Sequence, residues 1–84
     1  MKVRVLFFAL YRERVGTSHQ DMELTEGATV TDLIAALAQE YPQLSSEPRR
    51  IVAAVNQEYV DQSHLLREGD EIALIPPVSG GCPW

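Results

Sequence analysis

One strongly amphipathic helix limits the folds that this chain can adopt. Apolar side chains recur at helical spacing and form a single stripe, made of Val30, Leu33, Ile34, Leu37 and Ala38. Thr29 stands three residues before Asp32, which predicts a capping box at the start of the helix, and Pro42 predicts its end. Because an apolar stripe must be buried, the rest of the chain has to supply a surface that this helix covers.

Short strands before and after the helix predict that this surface is a sheet. Apolar or alternating runs typical of strands occupy residues 3–8, 21–25, 51–55, 58–60 and 71–75. The first and last strands, around Val5 and Ala73, are strongly apolar, so we expect them to lie side by side in the middle of the sheet as a parallel pair. The predicted class is α+β, a mixed sheet of about five strands packed on one main helix, as in the β-grasp or ubiquitin-like architecture.

The connecting segments carry ordinary helix and turn signals. Residues 9–15 predict a short helix that stops at Gly16, and residues 17–20 are polar and predict a loop. Asn56-Gln57 and residues 67–70 predict turns. We expect the second strand to be the hairpin partner of the first.

Composition excludes several classes of function. The chain has 84 residues and a net charge of −5, which argues against a nucleic-acid partner because phosphate binding needs a basic surface. No apolar run approaches the ~20 residues of a membrane span. Cys82 is the single cysteine, so no internal disulfide forms, and we expect a cytoplasmic protein.

The residues offer little for a self-contained active site. His19 and His64 stand in predicted loops without metal-ligand spacing, and the Asp70-Glu71 pair lies beside a turn that we expect to be solvated. We therefore predict no bound metal and no organic cofactor. Phe7 and Phe8 are adjacent in a strand, so one of them must point away from the helix and is a candidate partner surface.

The residues after the last strand form a distinct segment. We predict a folded domain over residues 1–75 and an extended C-terminal tail over residues 76–84. Pro76 and Pro77 favour an extended exit from the domain, at ~3.1 Å per residue. Gly80 and Gly81 lack side chains, so that part of the tail fits a narrow channel.

With these motifs, the chain resembles the small subunit of molybdopterin synthase, the sulfur-carrier branch of the ubiquitin-like fold. The more specific segments are residues 66–71 and the run of Ile75, Pro76, Pro77, Val78, Ser79, Gly80 and Gly81. The resemblance also covers residues 3–13 and 53–57.

The resemblance implies a function without a local active site. A partner similar to ubiquitin-activating enzymes uses ATP to adenylate the terminal glycine, and sulfur then replaces AMP to give a thiocarboxylate. The tail inserts into the large synthase subunit and donates sulfur to cyclic pyranopterin monophosphate. Gly81 would carry the sulfur, Gly80 would keep the tail slim, and residues 76–79 would give it reach. Ile75, with Phe7 or Phe8, is the candidate docking face.

The sequence departs from that family after its second glycine. Cys82, Pro83 and Trp84 follow Gly81, and the amide between Gly81 and Cys82 lacks the free carboxylate that attacks ATP. The leading hypothesis is removal of residues 82–84 by a processing protease. A second route is attack of the Cys82 thiol on the Gly81 carbonyl, which would give a thioester that sulfide could open.

Two other classes of function stay open at this point. The chain could be a related sulfur carrier for thiazole, cysteine or tRNA thiolation, or a protein modifier joined to lysines through Gly81. It could also be an interaction module that kept the fold and lost the chemistry, which the blocked glycine favours.

Overall fold

The computed structural model describes residues 1–44 and 50–76. Within these ranges the elements follow in the order β1 (Lys2–Phe7), α1 (Ala9–Val15), β2 (His19–Glu23), α2 (Val30–Glu40), β3 (Val52–Val55), β4 (Glu58–Val60) and β5 (Glu71–Ile75). The predictions for residues 45–49 and for residues 77–84 concern positions outside the described residues.

The described strands form one mixed sheet with the order β2-β1-β5-β3-β4. β1 and β5 are parallel neighbours in its middle, with Val5 opposite Ile72, and the other neighbouring strands are antiparallel. The expected parallel pairing of the first and last strands is therefore confirmed. The chain leaves the sheet from its central strand, at Ile75.

The main helix, α2, begins and ends where the sequence predicts. The Thr29 hydroxyl accepts a hydrogen bond from the Asp32 backbone N–H, and the Asp32 carboxylate accepts one from the Thr29 N–H at 2.9 Å. This reciprocal pair is the predicted capping box. The last helical residue is Glu40, and the following Tyr41, which precedes Pro42, has a non-helical φ of −127°.

The hydrophobic core lies between α2 and one face of the sheet. Its fully buried large side chains are Val5, Phe7, Val30, Leu33, Ile34, Leu37, Leu44, Ile72 and Leu74. The helix supplies four of these from its predicted stripe, while Ala38 is only half-buried. The short helix α1 contributes Tyr11 to the same core and packs against β1 and β5. The fold is thus the expected β-grasp.

Several connections use left-handed backbone, and two of them show how it matches the predicted turn signals. Gly16 ends α1 with a φ of 89°, and its N–H donates to the Arg12 carbonyl, as the predicted stop requires. Asn56 and Gln57 both have positive φ, 50° and 72°, in the predicted turn between β3 and β4. Positive φ at both central residues matches a type I′ turn, which suits the twist of a hairpin.

The bounds of β1, β2 and β3 differ from the prediction, and β2 ends at Glu23, so Leu24 and Thr25 lie outside the strand predicted over residues 21–25. His19 and Gln20 belong to β2 rather than to a loop, because their backbone pairs with β1 although their side chains are polar. β1 begins at Lys2 and ends at Phe7, and β3 begins at Val52 because Ile51 precedes the paired region. The antiparallel pairing of β1 with β2 is confirmed, with α1 forming the connection between them.

Candidate functional site

The face of the sheet opposite α2 is charged at one end and apolar at the other. At one end it carries Lys2, Arg4, Asp21 and Glu23, which are all exposed. At the other end, where β5 ends, it carries exposed and half-buried apolar side chains. We call the three at that end, Phe8, Val52 and Ile75, the exit patch.

The strand register brings the exit patch together. Val52 of β3 is the direct partner of Ile75, the last residue of β5. Phe7 of β1 is opposite Leu74, so Phe8 lies one residue further along, at the level of Ile75. Three apolar side chains that are distant in sequence therefore share one end of one face.

Phe7 and Phe8 have opposite environments. The Phe7 side chain is 1% exposed and lies edge-on to the Tyr41 ring, at 6.4 Å between centroids, whereas Phe8 is 43% exposed. Phe7 is thus part of the core and is excluded from the candidate docking face. Of the two phenylalanines that the sequence offers for the docking face, Phe8 is therefore the candidate.

A sharp turn directly after Phe8 starts α1. Phe8 itself is extended, with a φ of −117° and a ψ of 152°, so its side chain continues the alternation of β1. Ala9 then adopts a φ of 50°, a left-handed conformation that costs an L-residue roughly 1–2 kcal/mol. The buried Tyr11 holds the following turn of helix against the core.

The charged end of the face is organised by one ion pair. The Arg4 Nε donates to the Asp21 carboxylate at 2.9 Å, and both side chains are more than half exposed. This hydrogen bond lowers the pKa of Asp21 and raises the pKa of Arg4. The pair joins β1 to the edge strand β2 on the face opposite α2.

The other candidate groups have structural roles in the described part of the chain. The Asp70 carboxylate accepts hydrogen bonds from the Arg67 backbone N–H at 2.8 Å and the Asn56 side-chain amide at 3.0 Å, which closes the turn before β5. His19 and His64 are exposed, on β2 and in the loop after β4. Within residues 1–44 and 50–76, no three His, Cys, Asp or Glu side chains converge as metal ligands would.

The predicted tail residues fall largely outside the described residues. Pro76 is described and is half-buried next to the exit patch. Pro77, Val78, Ser79, Gly80 and Gly81, together with Cys82, Pro83 and Trp84, lie outside the described ranges. Ile75, the last residue of β5, lies on the exit patch, and its part in docking stays a prediction.

Val52 is a site residue that sequence reasoning missed. The run from Ile51 to Val55 is apolar throughout and predicts a strand that is buried on both sides. Val52 is nevertheless 36% exposed, because nothing described covers that end of the outer face. The signal that could have found it is the antiparallel register with β5, which places Val52 beside Ile75.

A mixed five-stranded sheet, one long helix on one face and an exit from the central strand define a ubiquitin-like β-grasp protein. The ThiS family model matches residues 5–81, so the match stops at Gly81. The molybdopterin synthase sulfur carrier subunit of Chlamydomonas reinhardtii is 45% identical over 83 residues, covering 96% of this chain and all of that protein. This chain belongs to the ThiS family and, within it, groups with the molybdopterin synthase sulfur carrier subunits.

Solved structures agree with the fold. The crystal structure of Haloferax volcanii small archaeal modifier protein 1 has a TM-score of 0.80 and 27% identity, over 92% of this chain and 98% of that one. A protein–protein complex of subunits 1 and 2 of molybdopterin-converting factor from Helicobacter pylori 26695 contains a similar chain. Its TM-score is 0.67 and its identity 28%, over 96% of this chain and all of that one.

The described helices are short. α2, with 11 residues, is the longest of them, and none is long and apolar enough to cross a bilayer.

Proposed function

We propose that this chain is the sulfur carrier subunit of a molybdopterin synthase and that it carries sulfur as a thiocarboxylate on Gly81. The observation that carries the proposal is the similarity to a sulfur carrier subunit along that relative's whole length. The fold supports it, because β5, the strand that precedes the predicted tail, lies in the middle of the sheet and ends at Ile75. The family match supports it as well, because its last residue is Gly81.

The chemistry requires a free carboxylate on Gly81. That carboxylate attacks the α-phosphate of ATP in an activating partner, pyrophosphate leaves, and an acyl adenylate forms. A sulfur donor then displaces AMP and leaves the thiocarboxylate. In each transfer the thiocarboxylate sulfur bonds to the pterin, and water then cleaves the acyl–sulfur bond, which leaves the sulfur on the pterin and a carboxylate on Gly81. Two loaded chains therefore supply the two sulfur atoms of the dithiolene.

Residues 82–84 must leave before this cycle begins. The amide nitrogen of Cys82 occupies the position of the carboxylate oxygen, and an amide is too weak a nucleophile to attack ATP. Hydrolysis of the Gly81–Cys82 bond by a protease supplies the missing oxygen from water. Within residues 1–44 and 50–76 no cluster of metal-ligating side chains converges. We assign both reaction sites to the activating partner and the large subunit, with ATP used at the activating partner.

The exit patch is the proposed docking surface for the large subunit. Phe8, Val52 and Ile75 lie next to the point where the chain leaves the sheet, so a partner that binds them also receives the tail. Aromatic and aliphatic side chains of this kind commonly anchor protein interfaces. The Helicobacter pylori complex, in which a similar chain is bound to a second subunit, supports a large-subunit partner. We place the reaction in the cytoplasm.

Reconstitution tests this function directly. Chains ending at Gly81 and chains that retain residues 82–84 are incubated with activating enzyme, ATP, a sulfide donor, large subunit and cyclic pyranopterin monophosphate. We expect molybdopterin only from chains that end at Gly81, and loss of product when Gly81 is deleted. Equal product from both chains would refute the requirement for a free carboxylate, and no product from either would refute the function.

A protein-modifier function is the second candidate. It is favoured by the similarity to a structure named small archaeal modifier protein 1. Both functions use the same activated Gly81 and differ in the acceptor, which is the amino group of a lysine for a modifier. Mass spectrometry of cellular proteins separates them, because a modifier leaves an isopeptide bond between Gly81 and lysine.

A further inference from the structure

Amines are scarce in this chain and lie away from the end of β5. Lys2 is the only lysine in the sequence, and the other basic side chains are all arginines. β1 and β5 run parallel and end at the same end of the sheet, which we call the exit end. Lys2 stands at the start of β1 and therefore lies at the opposite end from Ile75. Because a lysine amine attacks activated carbonyl groups, this position matters wherever Gly81 is activated.

The distance between Lys2 and the exit end is large for so small a protein. Phe8 follows the Phe7–Leu74 pair and lies level with Ile75. From Lys2 to Phe8 the chain advances about 20 Å, at ~3.3 Å per residue. Residues 76–81 span at most about 20 Å at full extension. Their full length would therefore be needed to bring Gly81 back to Lys2.

The amino terminus is the other amine of the chain, and a hydrogen bond engages it. The Met1 ammonium donates to the Leu24 carbonyl at 2.7 Å and is partly buried. The Leu24 N–H donates back to the Met1 carbonyl at 2.8 Å, which fixes Met1 beside the residue that follows β2. Met1 precedes Lys2, so this amine also lies at the end of the sheet opposite Ile75.

Arginines supply the positive charge on α1, at the exit end. This helix connects the end of β1 to the start of β2, which pairs with it, so α1 lies at the exit end. Arg12 and Arg14 stand in its last turn, where a cation favours the helix, and both are exposed. The Arg14 Nη1 also donates to the Leu44 carbonyl at 3.0 Å. A guanidinium keeps its proton in proteins, whereas a lysine ammonium can release one and become a nucleophile.

We infer that Arg12 is a specificity-determining residue, which gives the exit end its charge without an amine that would capture the activated Gly81. The inference rests on the proposed function in one respect, namely that Gly81 is the residue that becomes activated. In the reaction that is avoided, an amine nitrogen attacks the carbonyl carbon of the Gly81 adenylate and forms a C–N bond. The bond from that carbon to AMP breaks, and the amine gives a proton to water. The resulting amide carries no sulfur, so the chain would be lost as a carrier.

A chemically activated chain tests the inference without any partner. Residues 1–81 are released from an intein fusion with 2-mercaptoethanesulfonate, which leaves a thioester on Gly81, and intact mass is followed over time. We expect the unmodified chain to lose the thiol by hydrolysis, which restores the carboxylate. Arg12→Lys keeps the charge and places an amine within reach of a short linker, so we expect aminolysis about tenfold faster or more. The internal amide is lighter than the hydrolysed chain by one water, and peptide mapping locates it.

Arg67→Lys is the matched control for this experiment. Arg67 is exposed and stands in the turn before β5, at the end of the sheet opposite Ile75. The same substitution there should leave the rate of aminolysis close to that of the unmodified chain. Circular dichroism checks that each chain is folded.

Two results would overturn the inference. One is aminolysis in the Arg12→Lys chain that is no faster than in the unmodified chain. The other is equal rates for Arg12→Lys and Arg67→Lys, which would show that the position of the amine does not matter. Since the thioester is formed chemically, failure of the proposed carrier function would leave this test intact.

Discussion

Phe7 and Phe8 are neighbours in the sequence and belong to two different surfaces. Phe7 is buried against α2 with the rest of the core, whereas Phe8 faces away from it on the exit patch. The same alternation separates Val5 from Arg4 and Leu74 from Ile75. One face of the sheet therefore holds the fold together, and the other is available for partners.

The largest expected effect is the difference in stability between a variant of the buried face and a variant of the exposed face. Phe7→Ala removes a fully buried ring and leaves a cavity, so we expect the free energy of unfolding to fall by about 3–5 kcal/mol. Phe8→Ala should cost about 1 kcal/mol or less, because Phe8 is an exposed side chain. Urea denaturation of both variants measures the difference. Equal losses of unfolding free energy would contradict the assignment of Phe7 to the core and Phe8 to the exposed face.

The second effect concerns partner binding, for which we expect Phe8 to matter more than it does for stability. Phe8→Ala should weaken binding of the large subunit by about 2 kcal/mol or more, roughly thirtyfold in Kd, as loss of an interface anchor does. Calorimetric titration of the large subunit with chains ending at Gly81 measures this. Leu65→Ala removes a comparably exposed apolar group outside the exit patch and should leave Kd unchanged. Unchanged binding by the Phe8 variant would remove the exit patch from the interface.

A smaller effect concerns the turn between β3 and β4, which lies at the opposite end of β3 from Val52 and the exit patch. Gln57 has a φ of 72°, which glycine adopts without strain, so Gln57→Gly should raise the free energy of unfolding by about 1 kcal/mol. Gln39→Gly makes the same change on the exposed side of α2 and should lower stability by about 1 kcal/mol. Thermal unfolding compares them. A loss of stability in both would show that Gln57 is unstrained.

The smallest effect belongs to the charged end of the outer face. The Arg4 hydrogen bond lowers the folded-state pKa of Asp21 below its ordinary value of 3.8. The stability from this pair is therefore fully present above that ordinary value and is lost as the pH falls through the folded-state pKa. The contribution is small because both side chains are over half exposed and screened by salt.

An NMR titration of the Asp21 carboxyl carbon measures that pKa. Arg4→Gln should move it back towards 3.8, and Arg12→Gln, a charge change on α1, should not. An Asp21 pKa that is the same in the Arg4→Gln variant and in the unmodified chain would show that the ion pair is absent in solution.

Much of the fold follows from local signals that agree with one another. The apolar stripe, the pair of Thr29 with Asp32 and the position of Pro42 determine α2 almost to the residue. The parallel pairing of β1 with β5 follows from two apolar strands that both need central positions. These features could be predicted because each has one dominant physical cause within a short stretch of sequence.

Other features depend on contacts between distant segments. His19 and Gln20 are polar and are held in β2 by backbone pairing with β1, which no local pattern encodes. Alternation requires Phe7 and Phe8 to face opposite ways, and the signal that could have identified the buried one is that Phe7 shares its face with Val3 and Val5 rather than with Arg4. Val52 becomes part of the exit patch through its register with Ile75.

The central claim is that Gly81 is freed to carry sulfur. The most direct test is the intact mass of the protein isolated from its native cells while they synthesise molybdopterin. We predict a chain that ends at Gly81, a fraction of which is heavier by the difference between one sulfur and one oxygen atom. A chain that always retains Cys82, Pro83 and Trp84, with no sulfur-bearing form, would contradict the claim.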